Sequence, residues 1–272
     1  MVNVVVVSNQ KGGIGKTFIS GSLAYLLSTD SHEKLPDVFS RKAARVLLVD
    51  ADFQGDATFL LTRKEQDEFD GNGLFEAMNE EDATNYIYPV TDYLSVLPAT
   101  AKVADFDNAF IKNKEKIEQP AYILKRTLEK VAHNYDWIII DTSPSLSNLK
   151  VQTLNVDLDG NTYLLIPMQT ERFGFDSIFK FTDTVKEIRE YTNPNLSILG
   201  IVPTLTDVNM KVDQSILDEA RELFGDLLFT TVVKRKSELK KMVNSGFTEH
   251  YAKQREALSD FYELLNEVKE RV

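Results

Sequence analysis

Residues 8–17 read SNQKGGIGKT, a set of residue types suited to holding phosphate. Gly12, Gly13 and Gly15 let backbone wrap closely around an anion with no Cβ in the way. Their N–H groups, with a helix N-terminus behind them, would face that anion, and Lys16 adds a point charge for terminal phosphates. The Thr17 hydroxyl suits magnesium, which shares its shell between protein and phosphate oxygens. The usual phosphate-loop spacing, G-x-x-x-x-G-K-[ST], is met by Gly15, Lys16 and Thr17, but its first glycine falls on Gln10. What stands in its place is a second lysine, Lys11, opening the string KGGIGKT. Lys11 is badly placed to reach the same phosphates as Lys16 from the outer side of the turn. It either stays solvated or reaches a phosphate held by another subunit.

Acids stand near apolar run ends. RVLLVD closes on Asp50, with Asp52 two residues on, and WIIID closes on Asp141. Strand-terminal carboxylates beside a phosphate loop are placed for metal and water, because phosphoryl transfer needs positioning and charge neutralisation more than covalent chemistry. The alternative for each acid is a turn or helix cap.

The elements that must position these groups follow from hydrophobic patterning. Val2–Ser8, Arg45–Asp50, Trp137–Asp141, Thr162–Ile166 and Leu196–Val202 read as buried strands. Thr17–Ser28, Asp176–Tyr191, Val212–Phe224 and Glu256–Val268 read as helices. The alternation predicts an α/β fold, a mainly parallel twisted sheet with helices on both faces. No repeat or Pro/Gly/Ser-rich linker interrupts it, so residues 1–272 are expected to form one domain. Two segments read as surface additions: Thr29–Ala44, and Asp52–Glu118 with 15 acidic and 6 basic residues.

Composition excludes several chemistries. Without cysteine there is no disulfide, thiolate zinc site, iron–sulfur cluster or cysteine nucleophile, which suits a reducing cytoplasm. The net charge of −11 argues against general adhesion to nucleic acid or acidic lipid, so such binding needs a local basic patch. No apolar run approaches the roughly 18 residues of a membrane span. His32, His133 and His250 are scattered and indicate no metal cluster.

The chain resembles the ParA/MinD family of deviant-Walker P-loop ATPases, and within it the Soj-like partition ATPases. KGGIGKT matches the family loop KGGxGKT throughout. VDADFQGDAT (49–58), IIIDTSPSLSNL (138–149), IPMQTERFGFDSI (166–178) and FGDLLFTTVVKRKSEL (224–239) resemble further family blocks, in family order. The resemblance implies an ATP- and Mg2+-dependent switch with a P-loop NTPase fold. ATP would drive a sandwich homodimer in which Lys11 contacts the partner's ATP. The dimer would bind DNA non-specifically, near the nucleoid, and a ParB-like centromere-binding protein would stimulate slow hydrolysis. By matching position, Lys11, Gly12, Gly13, Ile14, Gly15, Lys16, Thr17 and Phe18 are expected at ATP, with Lys234 and Lys236 bordering adenine. Thr17, Asp141 and Asp50 are expected at the metal, and Asp52 at the attacking water. Lys11, Lys16 and Asp52 form the expected catalytic set. No N-terminal helix-turn-helix domain is expected.

The sequence departs from the family at Phe53 and Asp56 in the loop after Asp52, and at Lys234 and Lys236. Two arginines that relatives use for DNA are Asn209 and Glu238 here. Residues 234–256 carry seven basic and three acidic side chains, a patch that Lys211 extends. Lys211, Arg235, Lys240 and Lys241 are therefore the expected DNA contacts. A MinD-like switch on a membrane or protein cargo is the alternative. It would need a basic amphipathic tail, whereas Leu258–Val272 is acidic and reads as docked on the domain. A small-molecule ligase of the same P-loop class is a third reading.

Overall fold

The valine and isoleucine runs become central strands with no exposed surface: Val4–Val7 and Ile138–Ile140 are wholly buried, as strands covered on both faces must be. The computed structural model describes residues 1–30, 41–113, 119–158, 162–171, 174–247 and 252–272. In chain order these form β1 (Asn3–Val7), α1 (Lys16–Leu27), β2 (Val46–Ala51), α2 (Asp56–Thr62), α3 (Leu74–Glu80), β3 (Tyr88–Pro89), β4 (Leu94–Leu97), α4 (Phe106–Asn113), α5 (Ile123–Ala132) and β5 (Trp137–Thr142). There follow α6 (Asn148–Leu154), β6 (Thr162–Gln169), α7 (Gly174–Tyr191), β7 (Leu196–Thr206), α8 (Lys211–Phe224), β8 (Val233–Lys234), α9 (Ser237–Ser245), α10 (Ala252–Ala257) and α11 (Ser259–Arg271).

Among the described residues the strands make one sheet, ordered β3-β4-β2-β5-β1-β6-β7-β8. Every pairing is parallel except the short β3–β4 edge. Alternate side chains divide the core in two. Val4, Val6, Leu47, Val49, Ile138 and Ile140 face α3 to α8, while Val5, Val7, Val46, Leu48 and Ile139 face α1, α2 and α9 to α11. The chain leaves β1 for β2 on one side and reaches β6 on the other. The crevice at the carboxyl ends of β1 and its neighbours is thus a topological switch point, where such sheets bind ligands.

Two expectations are corrected. The acidic stretch 52–118 is not an addition to the surface. It supplies β4, which pairs with β2 from Val46↔Leu94 to Val49↔Leu97, and α3, whose Leu74, Ala77 and Met78 enter the core. None of the described acids of this stretch is buried, and the four-residue strand they surround is too short to stand out in a charged background. The expected single helix at 256–268 is broken between Ala257 and Ser259. There the Lys236 ammonium donates to the carbonyls of Glu256 and Ala257, replacing the bonds a continuing helix would make. Most of the 29–44 segment lies outside the described residues.

Candidate functional site

The loop from Ser8 to Gly15 begins where β1 ends and delivers Lys16 into the first turn of α1. Gly13 and Gly15 have φ of +70° and +87°, the left-handed region that glycine enters without strain. A Cβ at either would meet nothing within 4 Å, so the concave side of the loop is open for a ligand. Asn9 anchors the loop: its Nδ2 donates to the Pro167 carbonyl of β6 at 2.7 Å, and its Oδ1 accepts from the Lys11 N–H at 3.2 Å. Thr204 of β7 donates to the Ile14 carbonyl at 2.8 Å.

The two lysines face different ways. Lys16 is buried and its ammonium donates to the Lys11 carbonyl at 2.8 Å. Burial pushes its pKa down, against the pull of Asp141 and Asp52. The Lys11 ammonium turns outward to Glu171, 2.7 Å away.

Asp50 and Asp141 stand in register on adjacent strands and are fully buried. Asp141 accepts from Thr17 Oγ1 and from Ser20 Oγ, both at 2.8 Å. The Thr17 hydroxyl and a carboxylate oxygen therefore lie together at the start of α1, beside the open loop, the hard oxygen donors a magnesium shell requires. Burial raises Asp141's pKa above the usual carboxylate range, against these hydrogen bonds. Asp50 is raised too, first by burial and then by Asp141's charge. Its Oδ2 accepts from the Thr58 N–H and hydroxyl, each at 2.7 Å, and its Oδ1 from the Asp52 N–H at 3.2 Å. Asp52 itself faces the open space.

A cavity of about 520 Å3, within the size range of ligand sites, joins these groups. Its polar end is the 12–17 backbone with Lys16, Thr17 and Asp52, and its other end is walled by Phe18, Leu205, Val233 and Phe261. Lys234 and Lys236, expected at adenine, line this cavity, and so does Arg235, expected in a DNA patch. Asp50 and Asp141 lie outside this lining. A second cavity of about 540 Å3, near Arg45 and Asp136, contains none of the expected site residues.

Of the remaining expected DNA contacts, one is seen in an ion pair among the described residues. Lys211 is exposed at the start of α8. Lys241 pairs with Glu238 at 2.9 Å. The Lys240 side chain lies outside the described residues. Asp260 of α11 stands 3.0 Å from Lys236 and 3.8 Å from Lys234, an acid that the 234–256 window omits. Sequence reasoning missed Asn9, Ser20, Thr58 and Lys150. Ser20 had a signal, since three residues after Thr17 is the same face of a helix. Lys150 had none.

The family model described as "AAA domain" matches residues 2–198. The sporulation initiation inhibitor protein Soj of Bacillus subtilis is 29% identical over 90% of this chain and 89% of its own length. The chromosome partitioning protein ParA of Myxococcus xanthus is 31% identical over 89% of this chain and 79% of its own. Among solved structures, a cobyrinic acid a,c-diamide synthase of Mycobacterium smegmatis, with bound ADP and magnesium, superposes with TM-score 0.73 and 27% identity over 90% of this chain and 92% of that one. A putative plasmid partition protein of Borrelia burgdorferi bound to AMPPNP reaches TM-score 0.75 at 21% identity, over 100% of this chain and 98% of that one, a likeness of fold. With a phosphate loop of two lysines at the switch point of a parallel sheet and matching relatives over nearly the whole length, the chain belongs to the ParA/Soj-type partition ATPases of the AAA-domain family.

Proposed function

We propose that this chain is an ATP-driven partition switch forming one domain. Its ATP-loaded form dimerises, binds DNA without sequence preference and hydrolyses ATP slowly until a ParB-like centromere-binding partner stimulates it. The observation that carries the reading is the division of labour between the two lysines of one loop: Lys16 is buried at the ligand cavity, and Lys11 stands at its rim, paired outward with Glu171. One lysine serves the chain's own nucleotide. The other is free to serve a nucleotide held by a second copy once it leaves Glu171.

In this reading Gly12 to Thr17 and Lys16 hold the phosphates, and Phe18, Lys234 and Lys236 border the base. Thr17 and Asp141 would hold Mg2+, which would supply charge neutralisation for phosphoryl transfer. Asp52 orients the attacking water. Asp50, beneath the site, fixes the Asp52 loop through Thr58 and the Asp52 N–H. Two similar structures, one holding ADP and magnesium and one AMPPNP, support this ligand chemistry.

The test is binding to a random-sequence DNA duplex with ATP, with ADP and without nucleotide, at two salt concentrations. ATP-dependent, salt-sensitive binding is expected. Absence of binding in every state would overturn the DNA reading. The MinD-like alternative is disfavoured by α11, whose Phe261, Leu264, Leu265 and Val268 are buried in the core and not offered to lipid. No described helix is long and apolar enough to cross a membrane. The likeness to the synthase favours a ligase as second reading. ATP-dependent amide formation on a carboxylate substrate would establish it.

A further inference from the structure

Lys150 sits in the first turn of α6 with 1% of its surface exposed, among the largest fully buried side chains of the described protein. Three effects oppose a charged lysine there. It is out of water, it lies near the positive end of a helix, and Lys16 is close enough to repel it. Among the described residues no carboxylate pairs with it in compensation. Its ammonium donates instead to two backbone carbonyls, Pro144 at 3.0 Å and Asn9 at 3.3 Å, and lies 5.8 Å from the centre of the Phe181 ring.

Pro144 lines the cavity, and Asn9 stands at the start of the loop whose residues 12–17 line it. Asn9 is the anchor of the phosphate loop, tied to β6 and to the Lys11 N–H. Pro144 follows Asp141 and faces the loop from the other side, its ring 3.7 Å from where a Cβ on Gly12 would stand. We propose that Lys150 is a positioning residue for the nucleotide: its ammonium pins the Asn9 end of the phosphate loop to the 143–147 loop that follows Asp141, and the phosphates of a bound nucleotide supply the countercharge it lacks.

This deepens the nucleotide-binding part of the function proposed above and rests on it. Burial, and then the charge of Lys16, bring the Lys150 pKa down to about 7, while Asp52 works the other way. Phosphates entering beside Lys16 raise it again. Binding is therefore linked to proton uptake at Lys150, and affinity falls as pH rises above the value in the free protein.

The experiment measures MgATP affinity from pH 6 to 9, at saturating Mg2+, for the unaltered protein, Lys150→Met and Lys150→Gln. Methionine keeps length and volume without charge or donor, and glutamine keeps a donor without charge. The unaltered protein should lose affinity with rising pH by up to about tenfold per unit where one proton is linked. Both variants should lack that slope and bind more weakly at pH 6.5. Curves parallel to the unaltered one would mean a packing role only and overturn the proposal. If neither variant folds, calorimetry on the unaltered protein in two buffers of different ionisation enthalpy decides. Net proton uptake with MgATP at pH 7.5 supports the proposal, and zero or net release overturns it. Failure of the unaltered protein to bind MgATP at any pH would overturn the nucleotide reading, and this proposal with it.

Discussion

Lys11 and Lys16 are five residues apart and differ in everything but type. Lys16 is held inside by the Lys11 carbonyl, whereas Lys11 is held at the rim by an exposed glutamate. The Glu171 side chain is 53% exposed, so that ion pair is weak and releases Lys11 at little cost. Lys16→Ala should therefore weaken nucleotide binding by about 10- to 100-fold, the value of hydrogen bonds to charged groups at roughly 1.5–3 kcal/mol. Lys11→Ala should leave the monomer's nucleotide affinity within about threefold and abolish the ATP-dependent dimer. Calorimetry with MgADP and sedimentation with a non-hydrolysable ATP analogue separate the two effects. Equal losses of nucleotide affinity in both variants would contradict the division of roles.

At the scale of elements, β4 and α11 make opposite points. β4 lies in an acidic stretch, yet Leu97 is wholly buried beside β2. Leu97→Ala should cost about 2–5 kcal/mol, as for buried leucines generally, read as a lower denaturant midpoint. An unchanged midpoint would mean that β4 is peripheral after all. α11 is amphipathic and is held by more than its apolar face. Glu267 accepts from the Thr230 N–H and hydroxyl at 2.9 and 3.0 Å, from the Thr231 N–H at 2.9 Å and from Arg271 at 2.7 Å. Burial raises this carboxyl, but the hydrogen bonds outweigh it and hold its pKa below the usual range. The lowered value adds stability at neutral pH that disappears as pH falls through the folded-state pKa. Glu267→Gln should thus lower stability at pH 7 by about 1–2 kcal/mol, a few degrees of melting temperature. The gap should narrow only as pH falls through that lowered folded-state pKa, where the unaltered carboxyl is also protonated. Thermal melts of both proteins at pH 7 and at a series of acid pH values check both the size and the sign.

For the whole molecule, charge decides where a polyanion can approach. The chain carries −11, and several of its cations are paired with its own acids: Lys236 with the buried Asp260, and, in weaker surface pairs, Lys241 with Glu238 and Lys102 with Glu76. DNA binding by a monomer should accordingly be weak, and a dimer that doubles the exposed cations should be needed. Reversing Lys240 and Lys241 to glutamate should weaken DNA binding of the ATP state by at least about tenfold and flatten its salt dependence, since each lost phosphate contact removes nearly one unit of slope. MgATP affinity should be unchanged. DNA binding equal to that of the unaltered protein would place the site elsewhere.

The sequence alone determined the chemistry of the phosphate loop, the order of the main strands and the family, because each is carried by local pattern. Glycines at 13 and 15 are demanded by backbone conformation. Val4–Val7 and Ile138–Ile140 are continuous apolar runs because both sheet faces are covered. Asp141 ends its run because the strand delivers it to the crevice. Tertiary structure decided what depends on residues far apart in the chain. It paired LSVL with β2 although acids surround it, placed Asp260 among lysines more than 20 residues earlier, and set the ammonium of Lys236 on the carbonyls where the last helix is broken. It also buried Lys150, which follows a polar loop and reads as surface until α6 packs and carries its ammonium to carbonyls 141 and 6 residues away. Local pattern reports what a segment does to its own backbone and faces, whereas a buried charge is defined by the groups that close over it.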